Sequence, residues 1–354
     1  MSDISSESRE LLRVSDLHVE FTSAKKVVHA VNGVNFTLDR GETLALVGES
    51  GAGKTVTGMS ILRLLPDTAT RIPKGSIIFD GIDLLSLSFE EMRKLRGSRL
   101  SLIFQDPMVA LNPVMTVQEQ IFEVLFYNNA LHLSRREMEE RIDEALELVG
   151  IPPSRKKSYP HEFSGGMRQR VVIAIALVAK PDLIIADEPT TALDVTIQAQ
   201  VLSVLRNYRA RQGTSVILIT HDLGIVAELC DKVAIMYSGE IVEYGYIEDI
   251  FEGEIHHPYT TGLFGSLPNL TDESTRLTPI RGLMPDPTNL PDGCRYWPRC
   301  PHCQERCRVE IPDYYHAAQG IHRVKCHLYN GSLPGSVGMG ESGSLAAKGG
   351  ETHA

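Results

Sequence analysis

The sequence predicts an α/β protein: a parallel sheet covered by helices, with a helical insertion and a small cysteine-rich unit following it. Three observations carry that prediction. Short apolar strands such as DLIIAD and SVILIT alternate with helical segments, and strands apolar on both faces need cover on both. A glycine-rich loop joins one such strand, TLALV, to a helix. After about residue 252 the composition shifts to Pro, Gly, His and Cys, which marks a separate unit.

Taken in order, residues 12–47 read as strands and turns: LRVSDLHVEF, then VNFTL, a turn at Asp39-Arg40-Gly41, and TLALV. GSIIFDG (75–81) is a further strand, followed by a polar helix near 88–98 and a buried strand, LSLIFQ (100–105). From about 106 to 163 the pattern is helical. There Ser134 and Glu137 form a capping-box pair, and Gly150 closes the helix. MRQRVVIAIALVAK is a helix, DLIIAD a strand, TIQAQVLSVLRNYRAR a helix, SVILIT a strand and LGIVAELC a helix. KVAIMYSGEIVEYG is a hairpin. The final stretch, 331–354, has seven Gly and four Ser and reads as a disordered tail.

Length and charge exclude several classes. The chain has 354 residues, about two domains at ~150 residues each. Its 35 basic and 45 acidic residues give a net charge of -10, which argues against a nucleic-acid binder that relies on a positive field. The longest apolar run, VVIAIALVA (171–179), has nine residues, where a membrane helix needs ~20. MSDISSESRE lacks an apolar signal core, so a cytoplasmic location is expected.

GESGAGKT (48–55) has the G-x-x-x-x-G-K-[ST] pattern, and it follows a strand and opens a helix. Gly48, Glu49, Ser50, Gly51, Ala52 and Gly53 supply backbone N–H groups around a phosphate chain, at the positive end of a helix. Lys54 adds a full charge at the β/γ oxygens, and Thr55 offers a hydroxyl to Mg²⁺. In LIIADEP (183–189), Asp187 and Glu188 emerge at the carboxyl edge of a buried strand, where sites in parallel sheets lie. Asp187 suits the magnesium shell and Glu188 the polarisation of an attacking water. FSGGMRQR (163–170) makes a second exposed helix start with free N–H groups, which points to two chains meeting around one nucleotide.

With these residues in view, the chain resembles the nucleotide-binding subunit of an ATP-binding cassette (ABC) transporter over about residues 12–250. GESGAGKT resembles the Walker A motif and LIIADE the Walker B motif. FSGGM departs from the usual LSGGQ at its first and last letters but keeps Ser164, Gly165 and Gly166. Gln105 resembles the Q-loop glutamine, a magnesium ligand as well as a catalytic residue; Asp194 of ALD (192–194) resembles the D-loop, and His221 the switch histidine. Phe21 occupies the place of an adenine-stacking aromatic. The resemblance implies a P-loop NTPase core over 10–252, with an antiparallel β subdomain and a helical subdomain at about 106–168. It implies Glu188 as catalytic base, with His221 and Gln105 ordering the γ-phosphate and water.

Cys294, Cys300, Cys303, Cys307 and Cys326 crowd into one segment. In a reducing compartment they favour metal over disulfides, and spacing alone leaves zinc and an iron–sulfur cluster both open. GCRYWPRCPHCQERC with HRVKC, and HHPYT (256–260), resemble the C-terminal extension of the oligopeptide/dipeptide (peptide/nickel) importer ATPases. That resemblance implies a [4Fe–4S] cluster on Cys294, Cys300, Cys307 and Cys326, with zinc as the alternative and Cys303 outside the ligand set. The cluster is expected to be structural, because the extension, 253–330, lies far in sequence from every ATP motif. Cys230 is expected to be a buried small apolar residue. The function implied is ATP hydrolysis driving import of di- or oligopeptides, from the cytoplasmic face of the membrane. The implied partners are a second homologous ATPase, two permeases and an extracytoplasmic solute-binding protein. The alternatives are import of nickel or another small solute, or a soluble non-transport ABC ATPase.

Overall fold

Successive side chains of the central strands enter two different apolar clusters. Leu44, Leu46, Ile185, Ile217 and Ile219 pack on one face, and Ala45, Val47, Ile184, Ala186 and Leu218 on the other. A strand alternates its side chains across the sheet, so apolar residues at every position demand a covering layer on each side. The computed structural model describes residues 9–23, 26–128, 132–190, 193–266, 279–317 and 320–329. The expected tail at 331–354 lies outside the described residues.

The first cover is a smaller antiparallel sheet. It consists of β1 (Glu10–Thr22), β2 (Val27–Asp39), β4 (Thr70–Arg71), β5 (Ser76–Phe79) and β6 (Ile82–Asp83). β1 and β2 are longer than the separate short strands the sequence indicates, because bulges let the pair bend and keep its register. The main sheet contains β3 (Thr43–Val47), β7 (Leu100–Ile103), β8 (Leu183–Asp187), β9 (Ser215–Thr220) and β10 (Lys232–Tyr237), all paired in parallel. β11 (Glu240–Tyr246) folds back on β10 through a two-residue turn, Ser238-Gly239, with φ of 47° and 81°. Positive φ at both positions matches the twist of a tight hairpin.

The helices follow the loops. α1 (Lys54–Ile61) leaves β3, and α2 (Phe89–Leu95) is capped by Ser88 and Glu91. α2 stops short of the expected residue 98, since Arg96 is extended and Gly97 has φ of 75°. A helical layer holds α3 (Pro107–Ala110), α4 (Val117–Tyr127), α5 (Arg135–Leu148) and α6 (Gly165–Leu177). Val117, Ile121 and Leu125 of α4 and Met138, Ile142 and Leu146 of α5 put one buried stripe per helix into the second cluster. The Ser134–Glu137 capping box forms as expected. α7 (Val195–Gln212), α8 (Leu223–Leu229), α9 (Ile247–Phe251) and α10 (Pro258–Gly265) complete the set among the described residues. Cys230 is 7% exposed inside the core, where burial pushes its thiol pKa up.

The cysteine-bearing segment does not stand apart as a small unit of its own. β12 (Tyr314–His316) and β13 (Arg323–Lys325) extend the main sheet, with β13 pairing antiparallel to β11. Among the described residues that sheet runs β12-β13-β11-β10-β3-β9-β8-β7. Tyr259 and Tyr296 belong to the same buried cluster as the parallel strands. A segment this short buries too little to fold alone, so it borrows the core of its neighbour.

Two carboxylates on β11 fasten this junction. Glu240 takes Lys325 at 2.8 Å and Arg295 at 3.4 Å. Glu243 is fully buried and accepts the His257 N–H at 2.8 Å, with His256 Nδ1 at 2.8 Å and His322 Nε2 at 3.2 Å. Burial opposes the charge on Glu243, but the two imidazoles outweigh it and hold the carboxyl down to about 2. His257 caps α10, and burial takes its pKa down to about 4, so it is neutral at pH 7. His256 and His322 thus brace the buried carboxylate, and His257 caps the helix.

Glu243→Gln should cost about 3–5 kcal/mol at pH 7, the usual loss when one partner leaves a buried ionic group; chemical denaturation of the full chain measures it. The Glu243 contribution is complete above the unfolded carboxyl value of ~4.3 and is lost as pH falls toward about 2. His256 works in the opposite sense. The Glu243 hydrogen bond raises its pKa, so its share is complete below ~6.5 and declines as pH rises through the raised value. Denaturation midpoints should therefore fall on the acid side more steeply for the wild type than for Glu243→Gln.

Candidate nucleotide-binding and catalytic site

Backbone register brings the chemistry together. β3, β9, β8 and β7 are neighbours, with Val47 opposite Thr220, Asp187 opposite Ile219 and Ile103 opposite Ala186. Their carboxyl ends are level. The residues that follow are the glycine-rich loop, His221, Glu188 and Gln105, all at the edge where ligands meet parallel sheets.

The loop between β3 and α1 is shaped by close approaches. A Cβ on Gly53 would sit 2.6 Å from the Ala30 carbonyl oxygen, and its φ of 99° favours glycine. A Cβ on Gly48 would come within 2.2 Å of the Met236 carbonyl oxygen. Lys54 is 6% exposed, and its Nζ donates to the carbonyls of Gly48 at 2.7 Å and Glu49 at 3.0 Å. Burial lowers its pKa, against the pull of Glu188, Asp187 and Glu49. Thr55 donates its hydroxyl to Asp187 Oδ1 at 3.1 Å. Burial raises the Asp187 pKa and the Thr55 hydrogen bond opposes it, with the Glu188 charge adding to the rise. A buried carboxylate beside a hydroxyl and an amide offers hard oxygen donors, the set that suits Mg²⁺.

Glu188 is the centre of a three-residue contact. Gln105 Nε2 donates to its Oε2 at 2.8 Å, and His221 Nδ1 lies 3.3 Å from its Oε1. Its backbone has φ of 45°, uncommon for a residue with a side chain, and its N–H is tied to the Ile219 carbonyl at 2.9 Å. Strain held by surrounding bonds is a mark of functional positions. A cleft of about 380 Å³ opens beside it, lined among others by Phe21, Lys54, Thr55, Gln105, Glu188 and Pro287. Phe21 sits at the end of β1 opposite Val28, which also lines the cleft.

Ser164, Gly165 and Gly166 do not line that cleft. Ser164 and Gly165 are exposed, and Ser164 caps α6 by accepting the Met167 N–H. Gly166 lies against α7, where a Cβ would meet Ile197 at 2.8 Å. Asp194 is exposed and caps α7 by accepting the Ile197 N–H at 3.0 Å. Ala192 lies outside the described residues.

The cysteines of the C-terminal segment lie within electrostatic reach of one another, Cys303 included through Cys300. Cys294 is within electrostatic reach of Cys300, Cys307 and Cys326, and Cys326 of Cys300 and Cys307. Backbone N–H groups of Tyr296, His302 and Leu328 bond the sulfurs of Cys294, Cys300 and Cys326, and that of Gln304 donates to Cys307 Sγ at 3.4 Å. Cys303 instead donates its thiol to the Gln304 carbonyl at 3.5 Å. Burial pushes the thiol of Cys294 up to about 12 and that of Cys326 up to about 11. All are free thiols. Among the described residues, no group of three or more His, Cys, Asp or Glu side chains is close enough to hold a metal ion. The geometry thus does not support the expected metal site.

Several site residues lie outside the nucleotide motifs. Pro287 lines the cleft, and its carbonyl accepts the His29 N–H at 2.9 Å. Arg299 pairs with Glu49 at 2.6 Å, and Tyr259 accepts the Glu49 N–H at 2.9 Å. These residues follow the composition break, so a segment far in sequence from the ATP motifs touches the loop itself. A lone Pro or Arg gives no periodic or spacing signal by which to find it.

Comparison with known proteins agrees with this geometry. Residues 31–191 match the ABC transporter family model, and 242–307 match the oligopeptide/dipeptide transporter C-terminal region. The dipeptide transport ATP-binding protein DppD of Bacillus subtilis is 47% identical over 339 residues, covering 94% of this chain and 99% of the relative. The oligopeptide transport ATP-binding protein OppD of Salmonella typhimurium is 49% identical over 304 residues, covering 85% and 89%. Among solved structures, the ATP-binding cassette MJ0796, a dimer bound to ADP and Pi, aligns with a TM-score of 0.61 at 25% identity, covering 67% of this chain and 99% of that one. The cassette cbiO1 of Clostridium perfringens aligns with a TM-score of 0.59 at 28% identity, covering 69% and 92%. Among the described residues, no helix is long and apolar enough to cross a membrane. With a P-loop, a strained Glu188 and a level strand edge matched by relatives over nearly its whole length, this chain belongs to the ABC transporter family of ATPases, in the branch that carries the oligopeptide/dipeptide transporter C-terminal region.

Proposed function

We propose that this chain is the ATP-hydrolysing subunit that drives import of dipeptides or oligopeptides through a multi-subunit membrane transporter. The observation that carries the ATPase half is Glu188, bonded by Gln105 and approached by His221 at the edge of a cleft that Lys54 and Thr55 also line. The substrate half rests on relatives that are dipeptide and oligopeptide transport ATP-binding proteins. Nickel import and a non-transport role have no comparable support.

In this reading Lys54 and the N–H groups of the 48–53 loop bind the phosphates, except that of Glu49, which Tyr259 takes. Thr55, Asp187 and Gln105 hold Mg²⁺, which would neutralise charge on the β and γ oxygens. Phe21 stacks on the base. Glu188 takes a proton from the attacking water, with Gln105 and His221 orienting it. Ser164, Gly165, Gly166 and Asp194 act on the nucleotide of a second, homologous ATPase chain. The exposure of Ser164, Gly165 and Asp194 outside the cleft supports this, as does the likeness to a dimeric cassette. Exposed Met108, Val109 and Val114, just after Gln105, offer an apolar face to a membrane permease. An extracytoplasmic binding protein would deliver the peptide, and this chain would work at the cytoplasmic face. The cassette is assigned to 10–252, its helical subdomain to about 106–168, and the extension to 253–330.

Cys294, Cys300, Cys307 and Cys326 are proposed to hold a [4Fe–4S] cluster with a structural role. Their sulfurs each receive a backbone N–H, a pattern that suits thiolate ligands.

Lys54→Ala should weaken ATP binding and stop transport, since no neutral side chain replaces the charge-assisted phosphate contact; nucleotide affinity of the purified chain reads this out. Glu188→Gln should bind ATP normally and hydrolyse it ~10²–10⁴-fold more slowly in the assembled transporter. Near-wild-type turnover would remove Glu188 as the base. Purified without oxygen, the chain should contain about four irons and four sulfides. Cys303→Ala should keep them and Cys307→Ala lose them; stoichiometric zinc without iron would overturn the cluster.

A further inference from the structure

Glu49 stands inside the phosphate loop, between Gly48 and Ser50. A carboxylate in that place repels the phosphates the loop exists to bind, and charges a few ångströms apart interact strongly in a partly buried cleft. The structure turns it outward. Arg299 forms a two-pronged pair with it, Nη1 to Oε2 at 2.6 Å and Nη2 to Oε1 at 3.0 Å.

Arg299 is itself held in place. Its side chain is 4% exposed, Nε donates to the Arg281 carbonyl at 2.9 Å, and Nη1 donates to the Tyr237 hydroxyl at 3.4 Å. Tyr259 takes the Glu49 N–H, so the backbone N–H and the carboxylate of Glu49 are both engaged by residues outside the loop. Paired forks of this kind are stronger and more directional than exposed ion pairs. Lys54 is the cation beside it in the loop: its Nζ lies 3.0 Å from the Glu49 carbonyl oxygen, and the Glu49 charge pulls on it. The same segment also walls the cleft, through Pro287, and brings Met284 over Gly51.

We infer that Arg299 is a positioning residue of the ATP site: it keeps the Glu49 carboxylate off Lys54 and away from incoming phosphates, so that Lys54 is reserved for nucleotide. The C-terminal segment thereby becomes part of the nucleotide site. This rests on the reading of the glycine-rich loop as the ATP site, and adds a role for a residue outside the nucleotide motifs.

The test measures Mg·ATP affinity and thermal stability of the full chain for Arg299→Gln, the double variant Arg299→Gln/Glu49→Gln, Arg299→Lys, and Lys54→Ala. Arg299→Gln should weaken Mg·ATP binding about tenfold, with the loss shrinking as salt rises. Adding Glu49→Gln should recover most of that affinity, because the repelling charge is gone. Arg299→Lys, which keeps the charge without the fork, should lose less than Arg299→Gln, and it serves if the glutamine variant does not fold. Wild-type affinity in Arg299→Gln overturns the inference. So does a double variant no better than the single, since a purely structural staple would give that result. Lys54→Ala separates the two levels: if it too binds normally, the loop is not the ATP site and the underlying reading falls with the inference; if it alone loses binding, only the role of Arg299 is overturned.

Discussion

The chemistry of this chain depends on backbone pairing between four parallel strands. Hydrogen bonds hold β3, β9, β8 and β7 in a register that ends all four at one level. The phosphate loop (48–55), Gln105, Glu188 and His221 are spread over some 170 residues of chain, and only this register makes them neighbours. The strands tolerate no slip, because a shift of one residue would exchange the two buried faces. Core packing and catalytic geometry are therefore the same constraint seen from two sides.

At that edge the charges are balanced by contact. Lys54 is buried between the Gly48 and Glu49 carbonyls, with Asp187 and Glu188 contributing opposing charge. Asp187 has Thr55 as its partner, and Glu188 has Gln105 and His221. Glu188 also keeps a left-handed backbone, stabilised by its N–H bond to β9. A rigid β9 thus aims the side chain, and the glutamine and histidine meet it from the neighbouring loops.

The C-terminal segment is joined to the cassette by the same kind of bond, used three times. Glu240, Glu243 and Glu49 belong to the cassette, and each takes cationic or imidazole partners supplied from beyond it: Arg295 and Lys325, His256 and His322, and Arg299. Two of these carboxylates lie on β11, next to the strands β12 and β13 that extend the sheet. The third lies in the phosphate loop. Cys300 directly follows Arg299, so the cysteine-bearing segment carries the arm that reaches the loop.

The sequence by itself determined the covered parallel sheet, the helical insertion and most residues of the ATP site. Apolar runs at every position of DLIIAD and SVILIT report burial on both faces directly, and GESGAGKT, DE and FSGGM are local patterns whose chemistry is contained in adjacent residues. The tertiary structure decided what local patterns do not encode. It made the cysteine-bearing segment part of the main sheet instead of a unit of its own, because β11 has an open edge and the segment lacks a core. It also brought Arg299, Tyr259 and Pro287 to the nucleotide cleft. Those contacts span some 250 residues of chain, and a single arginine or proline acquires its meaning only from the partner that the fold sets against it.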